Sequence, residues 1–526
     1  MLWACLLLPS LPLDVFARAA SPTDAAKPFA VASGGRTPRI VSANAAARDA
    51  GIQPGQLVSA SLALAPDLLL RDRNPGAESA ALAAVATWLT QFTPTVVLAP
   101  PDAVLAEIGG SLRLFGGLPA LMARLSRGTH DLGYAIRSAI APTPAAALLF
   151  ARADNSAETG IGRSSTRLAG FPRGVSGKIG SDPTAATTKP QSLHDALAPL
   201  SLSLTDADPH VVDMLAAAGV TTLGQACALP RAALARRVGA DFLALLDRVR
   251  GLIPDPRAPF VPPPCYTGKL ELPAPVENVE ALAFAVNRLV FELAGWLTGR
   301  GLGVTAMSLA LAHERYVGVA TGVPATIVGF ALAAPAREPA HLVAVLRERL
   351  ARVALPAPVE AITLASKATA PLAGRNLGLL PGDATVAAVP LLDRLRARLG
   401  EEAITLVAPH AEHRPERAWR SAPTDAVGPA AQHTPRPDLR HRAAAAVPPR
   451  PVWLLAEAEP LGHRLEVQPW VLRDGPERIE SGWWDGADVR RDYFVAENPR
   501  GETVWIYRDH RCGIDDGEWF LHGVFA

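Results

Sequence analysis

The residue types most able to do chemistry are sparse and scattered along this chain. Four cysteines, Cys5, Cys227, Cys265 and Cys512, show no paired spacing, which argues against both a disulfide framework and a zinc site and fits a reducing cytoplasm. His410, His413, His433 and His441 fall in one stretch rich in Pro, Ala and Arg; it reads as a tether, and no metal or other cofactor is expected. The turn at Gly219, Val220, Thr221 and Thr222 precedes a helix, so its backbone N–H groups can hold a phosphate without side-chain charge; packing alone is the competing explanation. Arg288 and Arg315 lead a series of arginines over residues 288–352 that can follow a nucleic-acid backbone or simply face solvent. Eight aromatic residues near the C-terminus, Trp483, Trp484, Tyr493, Phe494, Trp505, Tyr507, Trp519 and Phe520, can stack on bases or anchor a partner, although a small β module needs most of them as core.

Composition narrows the classes. The 526 residues are 49% hydrophobic, enough to bury several cores. With 51 basic against 50 acidic residues the net charge is +1, so there is no global electrostatic footprint for nucleic acid and any such binding must be local. Only Lys27, Lys178, Lys189, Lys269 and Lys367 are lysines; the remaining cations are arginines, whose planar fork suits phosphate oxygens. The apolar start, Met1 to Leu13, lacks a basic leader and is broken by Pro9 and Pro12, unlike a secretory signal. No uninterrupted apolar run reaches the roughly 20 residues of a membrane helix, so a soluble, cytoplasmic protein is expected.

The elements that must position these residues alternate between strand and helix. WACLLL reads as a buried strand. After it, short strands and helices alternate to about residue 160: FAVAS, RIVSAN into AAARDAGI, a helix over 75–92, TPTVVLAP, VLAEIGGSLRLFGG, a helix over 117–127, GYAIRSAIAP and TPAAALLFARA. Residues 161–195 lose all periodicity and read as a flexible insertion. Residues 196–262 are short helices joined by tight turns, ending in the Pro-rich linker DPRAPFVPPP. Residues 263–370 run strand, long helix, three strands, helix, strand, an α+β unit. Residues 371–450 read as a linker, unstructured from 409, and 451–526 as a small β-rich module. The fold class is multidomain α/β and α+β.

Several of these segments resemble the Y-family DNA polymerases. RIVSANAAARDAGIQPGQLVSASLALAPDLLL is similar to their fingers, VLAEIGGSLRLFGG to the palm strand and turn after the catalytic S-I-D-E segment, and AIAPTPAAALLFARA to the next palm helix. LAAAGVTTLGQACALPRAALARRVG resembles the thumb's helix-hairpin-helix, and 266–366 has the order of the little finger. The resemblance spans about residues 1 to 370 and implies palm and fingers over 1–160, a thumb over 196–262 and a little finger over 263–370. Nucleotide transfer needs two divalent ions held by clustered carboxylates, and the family's D-x-D pattern falls here on Leu7 and Pro9, its Asp-Glu pair on Asp102 and Ala103. At most one carboxylate remains, and Asp14 lies too late to replace those of the first strand. The fingers aromatic falls on Ala45 and the palm lysine on Leu148, while Arg48 stays where a phosphate-contacting arginine would sit. These positions are therefore read as vestigial, with no catalytic residue and no bound metal.

The dead palm combined with PERIESGWWDG, VRRDYF and WFLHGVFA resembles the polymerase-like members of a bacterial mutagenesis cassette. That resemblance implies a non-catalytic adaptor in damage-induced (SOS) translesion synthesis. Its implied partners are damaged or primer-template DNA, the sliding clamp, a RecA-like protein (ImuA) and the alpha subunit of an error-prone replicative-type polymerase. GRNLGLLPGD matches the short peptides that insert paired apolar anchors into the clamp, through Asn376, Leu377, Leu379 and Leu380, with Asn where Gln is usual. Two competing readings are an active Y-family translesion polymerase, and a clamp-associated adaptor that barely binds DNA.

Overall fold

The computed structural model describes residues 1–153, 165–168, 190–314, 318, 322–372, 384–400, 402–423, 450–462, 470–511 and 518–525. The chain forms two compact units, Met1–Arg398 and Leu399–Ala526.

In the first unit, β1 (Trp3–Leu7) is buried along its whole length, as its unbroken apolar run requires of a strand covered on both faces. Helix α1 (Leu11–Ala17) follows. A small sheet comes next, from β2 (Phe29–Ala32), β3 (Ile40–Ala43) and β4 (Leu69–Asp72) in the order β3-β2-β4. The Asn44 side chain caps the helix Ala45–Asp49 by accepting from the Ala47 N–H, and Asn74 caps α2 (Pro75–Leu89) through the Ala77 N–H, the role that suits Asn at this position. Then come β5 (Val96–Ala99), β6 (Ala103–Glu107), α3 (Leu118–Leu132), β7 (Arg137–Ala141), α4 (Pro144–Ala153) and β8 (Ser165–Leu168). The main sheet runs β5-β6-β1-β7-β8, with β1 central and antiparallel to both neighbours. Alternation along β1 sends Leu6 and Leu8 into a core with α1, α2 and α3; Cys5 and Leu7 go into a second core with α4 and the helices beyond it.

Those helices are α5 (Pro209–Ala217), α6 (Leu223–Ala228), α7 (Arg231–Val238) and α8 (Ala240–Arg250). A second sheet is built from β9 (Thr267–Val276), α9 (Val279–Arg300), β10 (Leu302–His313), β11 (Ala325–Ala336), α10 (Pro339–Leu350) and β12 (Val359–Pro371), in the order β11-β10-β12-β9, with α9 and α10 contributing to its core. Helix α11 (Ala384–Leu399) docks on this layer, where the Asp393 carboxylate accepts from the Ala333 N–H and from His341. Among the described residues α9 alone is long and apolar enough to cross a bilayer, and 61% of that window is buried inside the unit.

The second unit holds the hairpin β13 (Thr405–Pro409) and β14 (Trp419–Pro423), then β15 (Trp453–Pro460), β16 (Val471–Ser481), β17 (Val489–Glu497), β18 (Thr503–Asp509) and β19 (Trp519–Val524) in the order β15-β19-β18-β17-β16. Its apolar residues form a cluster on each side of the sheet.

The strand and helix order expected over 1–160, 196–262 and 263–370 is present, as is the β-rich C-terminal region. Two stretches differ. The insertion expected over 161–195 contributes β8, which pairs parallel with β7, and the start of the helix Pro190–Leu197. The linker expected over 371–450 contains α11 and the β13–β14 hairpin, so the unstructured reading from 409 fails at its start. Order there comes from pairs with distant residues: Arg414 donates to Asp485 at 2.6 and 3.1 Å, and Glu416 accepts from Arg491 at 3.0 Å. A local reading of a Pro- and Arg-rich segment has no access to such partners.

Asp14 is enclosed in α1, where its carboxylate accepts from the Ala135 N–H. Burial pushes its carboxyl up to about 7, against the weaker pull of that N–H and of Arg18. An acid raised in this way keeps, in the native state, a proton that the unfolded chain has already lost above pH ~4. Stability therefore falls as pH rises from about 4 to about 7. We expect Asp14→Asn to exceed the parent in urea stability at pH 8 by on the order of 2 kcal/mol, and the gain to vanish near pH 4; a pH-independent difference would contradict this.

Candidate functional site

The register of the main sheet decides what stands at the end of β1. Leu7 is directly opposite Ala103 on β6 and Arg137 on β7, and Ala99 on β5 extends the same row beyond Ala103. Leu7 and Ala103 are 3% and 0% exposed. Thus the two positions expected to carry carboxylates do meet, and both are apolar and sealed. Pro9 is exposed in the turn between β1 and α1.

Asp102 sits at the start of this row, with its carbonyl accepting from the Leu8 N–H at 2.7 Å. Its Oδ1 is buried and has no hydrogen-bond partner. Burial raises its carboxyl above the usual carboxylate range, and Arg152 pulls the other way. Arg152, on α4, donates to the Leu204 carbonyl at 2.9 Å and to Asp206 at 2.7 Å. The Nε of Arg137 is buried without a partner. Two divalent ions require several converging carboxylate oxygens. One half-buried carboxyl among leucine, alanine and arginine does not fit them, and among the described residues no group of three or more His, Cys, Asp or Glu side chains is placed to hold an ion. Asp14 does not supply the missing oxygen, since its carboxylate is enclosed against Ala135. Leu148 is buried in the core of α4 and its neighbours, while Arg48 is exposed on the helix Ala45–Asp49.

The other expected contacts divide. The N–H groups of Gly219 and Val220 close the end of α5 on the Ala216 and Leu215 carbonyls. Those of Thr221 and Thr222 both donate to the Gln225 side chain, at 2.8 and 3.1 Å, in a capping box. All four amides are satisfied within the chain, so this turn does not present free donors. Arg288 is also spent: its Nη1 donates to the His130 and Asp131 carbonyls at the end of α3, so it caps a helix instead of tracking a backbone. Arg315 and the segment with Asn376, Leu377, Leu379 and Leu380 lie outside the described residues.

A different turn has the properties sought at 219–222. Between α7 and α8, Gly239 has φ +85°, and α8 begins there without a side-chain cap and with Asp241 in its first turn; the first N–H groups of an α-helix have no partner within the helix. Arg236 and Arg237 beside it are exposed. The sequence signal for it is the R-R-V-G-A run.

The C-terminal aromatics separate by exposure. Tyr493, Trp505 and Tyr507 are buried, with the Tyr493 and Trp505 rings stacked at 4.0 Å, whereas Trp483 and Trp484 are 79% and 57% exposed. Asp485, next to that pair, is held by Arg414 and Arg417 and accepts from the Ala487 N–H. The exposed pair therefore stands on a fixed turn.

Comparison with known proteins places these observations. The model of the impB/mucB/samB family matches residues 14–152. Protein ImuB of Caulobacter vibrioides strain NA1000 / CB15N is 30% identical over 501 residues, covering 90% of this chain and 100% of the relative, and so is Protein ImuB of strain ATCC 19089 / CIP 103742 / CB 15. Among solved structures, a Y-family DNA polymerase chimera, Dbh-Dpo4(243-245)-Dbh, and DinB from Sulfolobus solfataricus each cover 70% of this chain at 14% identity, with TM-scores of 0.38 and 0.36.

Placing carboxylates back in the row tests its character. Leu7→Asp with Ala103→Glu buries two unpaired charges in an apolar row, and we expect a loss on the order of 3 kcal/mol or more in urea unfolding without divalent ions. Full recovery of that loss by manganese would show that the row can still assemble an ion centre.

Proposed function

The chain belongs to the ImuB family, and from that premise we propose that it is a non-catalytic, polymerase-like adaptor in DNA-damage-induced translesion synthesis and mutagenesis. The observation that carries this reading is the buried Leu7–Ala103 pair. At the point where nucleotide transfer would need carboxylates around two ions, the main sheet offers hydrocarbon, one desolvated carboxyl and arginines. A triphosphate brought there would find no ion to neutralise it.

In this reading the first unit holds primer-template or damaged DNA and the rest of the chain recruits proteins. Phosphate contacts come from the α7–α8 turn, where α8 begins without a side-chain cap and Arg236 and Arg237 are exposed. Asn376, Leu377, Leu379 and Leu380 serve the sliding clamp as an extended peptide with paired anchors. The exposed Trp483 and Trp484 suit a protein contact, because exposed tryptophans fixed on a turn lose little entropy on binding. The partners we assign to these surfaces are the RecA-like ImuA and the alpha subunit of an error-prone replicative-type polymerase, all within the cytoplasm as part of the SOS response.

The test is duplex affinity by fluorescence anisotropy across a salt series, beside a clamp pull-down. Removing both guanidiniums by Arg236→Ala and Arg237→Ala should weaken DNA binding evenly across sequences and lower the log-log salt slope by about 1 to 2. Leu379→Ala with Leu380→Ala should abolish clamp capture and leave DNA affinity unchanged. Negligible duplex affinity of the parent chain would remove the DNA-holding role and leave a clamp adaptor.

A further inference from the structure

Within the first unit, the layer built on β9–β12 meets the main sheet across a seam that encloses charge as well as hydrocarbon. Arg18, at the end of α1, is 6% exposed. Its guanidinium donates to Glu292 on α9 and to the Tyr134 hydroxyl just before β7, and it lies 4.4 Å from the Tyr134 ring centroid. The other Glu292 oxygen is 3.2 Å from the Tyr266 hydroxyl, which also donates to the Leu289 carbonyl at 2.9 Å. One helical turn earlier on α9, Arg288 caps α3 through the His130 and Asp131 carbonyls. Both arginines crowd Gly133, where a Cβ would come within 2.8 Å of the Arg18 Cβ and 3.0 Å of the Arg288 Nε, at φ +86°. Only glycine fits there.

The apolar part of the seam is cut to the same closeness. Gly295 and Gly299 lie one turn apart on α9; a Cβ at Gly295 would meet the Trp88 ring at 2.4 Å, and one at Gly299 would meet the Thr90 hydroxyl at 2.6 Å. At the six-membered ring of the same indole, a Cβ at Gly128 of α3 would lie 2.0 Å away. Trp88 is thus packed against glycines of two different helices. The small sheet also reaches this layer: Arg71 on β4 donates to the Pro273 and Leu272 carbonyls of β9 at 3.1 and 3.2 Å. The connecting segment is tied to both sides: the Phe260 N–H donates to the Val96 carbonyl at 2.7 Å, and the Pro263 carbonyl accepts from Trp296 and Arg300.

We propose that this seam is a latch that fixes the β9–β12 layer on the main sheet in one orientation, so that any ligand meets a preformed surface instead of one that closes around it. A buried ion pair whose partners come from the two layers cannot be half-broken without leaving a naked charge, and an indole seated in two glycine notches cannot slide without clashing. Together they make the interface two-state, docked or open, with the docked state dominant.

The experiment measures the distance between nitroxides at Leu114→Cys and Ile327→Cys, two exposed positions on either side of the seam, by pulsed electron spin resonance in the full chain with Cys227, Cys265 and Cys512 changed to Ser. The latch predicts one narrow distance distribution, unchanged between about 0.1 and 1 M salt because an enclosed pair is poorly screened. Gly295→Leu should broaden it into several populations, and Glu292→Gln should add a second population without loss of helix by circular dichroism. Two or more populations in the parent chain would overturn the proposal. So would a folded Gly295→Leu chain with the parent's narrow distribution; if that variant does not fold, an unchanged distribution in Glu292→Gln would do so.

Discussion

The antiparallel pairing of β1 with β6 and β7 is the constraint from which most of the molecule follows. It fixes which residue faces which at the end of the central strand, and the side-chain period of two fixes the face each one takes. Leu6 and Leu8 must then serve the core under α1, α2 and α3, while Cys5 and Leu7 serve the core under α4 and the helices beyond it. A carboxylate at position 7 would have to be buried beside Ala103. At this place the chain has an apolar core, with Leu7 and Ala103 both buried.

The same sheet supplies the ground on which the second layer rests. Arg18 leaves the end of α1, Tyr134 stands just before β7, and Gly133 lets both approach α9. The contacts between the two layers run through helix seams and an enclosed ion pair that lie apart from the row at Leu7 and Ala103.

Much of this was legible in the residues. WACLLL announced a buried strand, and the resemblance to Y-family palms implied carboxylate positions at Leu7 and Ala103, which the register of β1 and β6 sets opposite each other. What escaped were features whose meaning depends on distant partners. Arg288 reads as an arginine that follows a nucleic-acid backbone or faces solvent, yet its guanidinium ends on carbonyls more than 150 residues away. The 219–222 amides look free in sequence, but Gln225 competes for two of them within one turn. Gly128, Gly295 and Gly299 look like unremarkable helix interruptions until Trp88 and Thr90 are found against them. The hairpin at 405–423 was hidden for the same reason, since its order rests on Asp485 and Arg491.

Primer extension by the purified full chain, with magnesium or manganese and in parallel with duplex binding, tests the central claim most directly. The account predicts binding of the primer-template with no nucleotide added under either ion. Robust metal-dependent extension that is lost in Asp102→Ala would contradict it, and would mean that the chain assembles a working ion centre around that carboxyl.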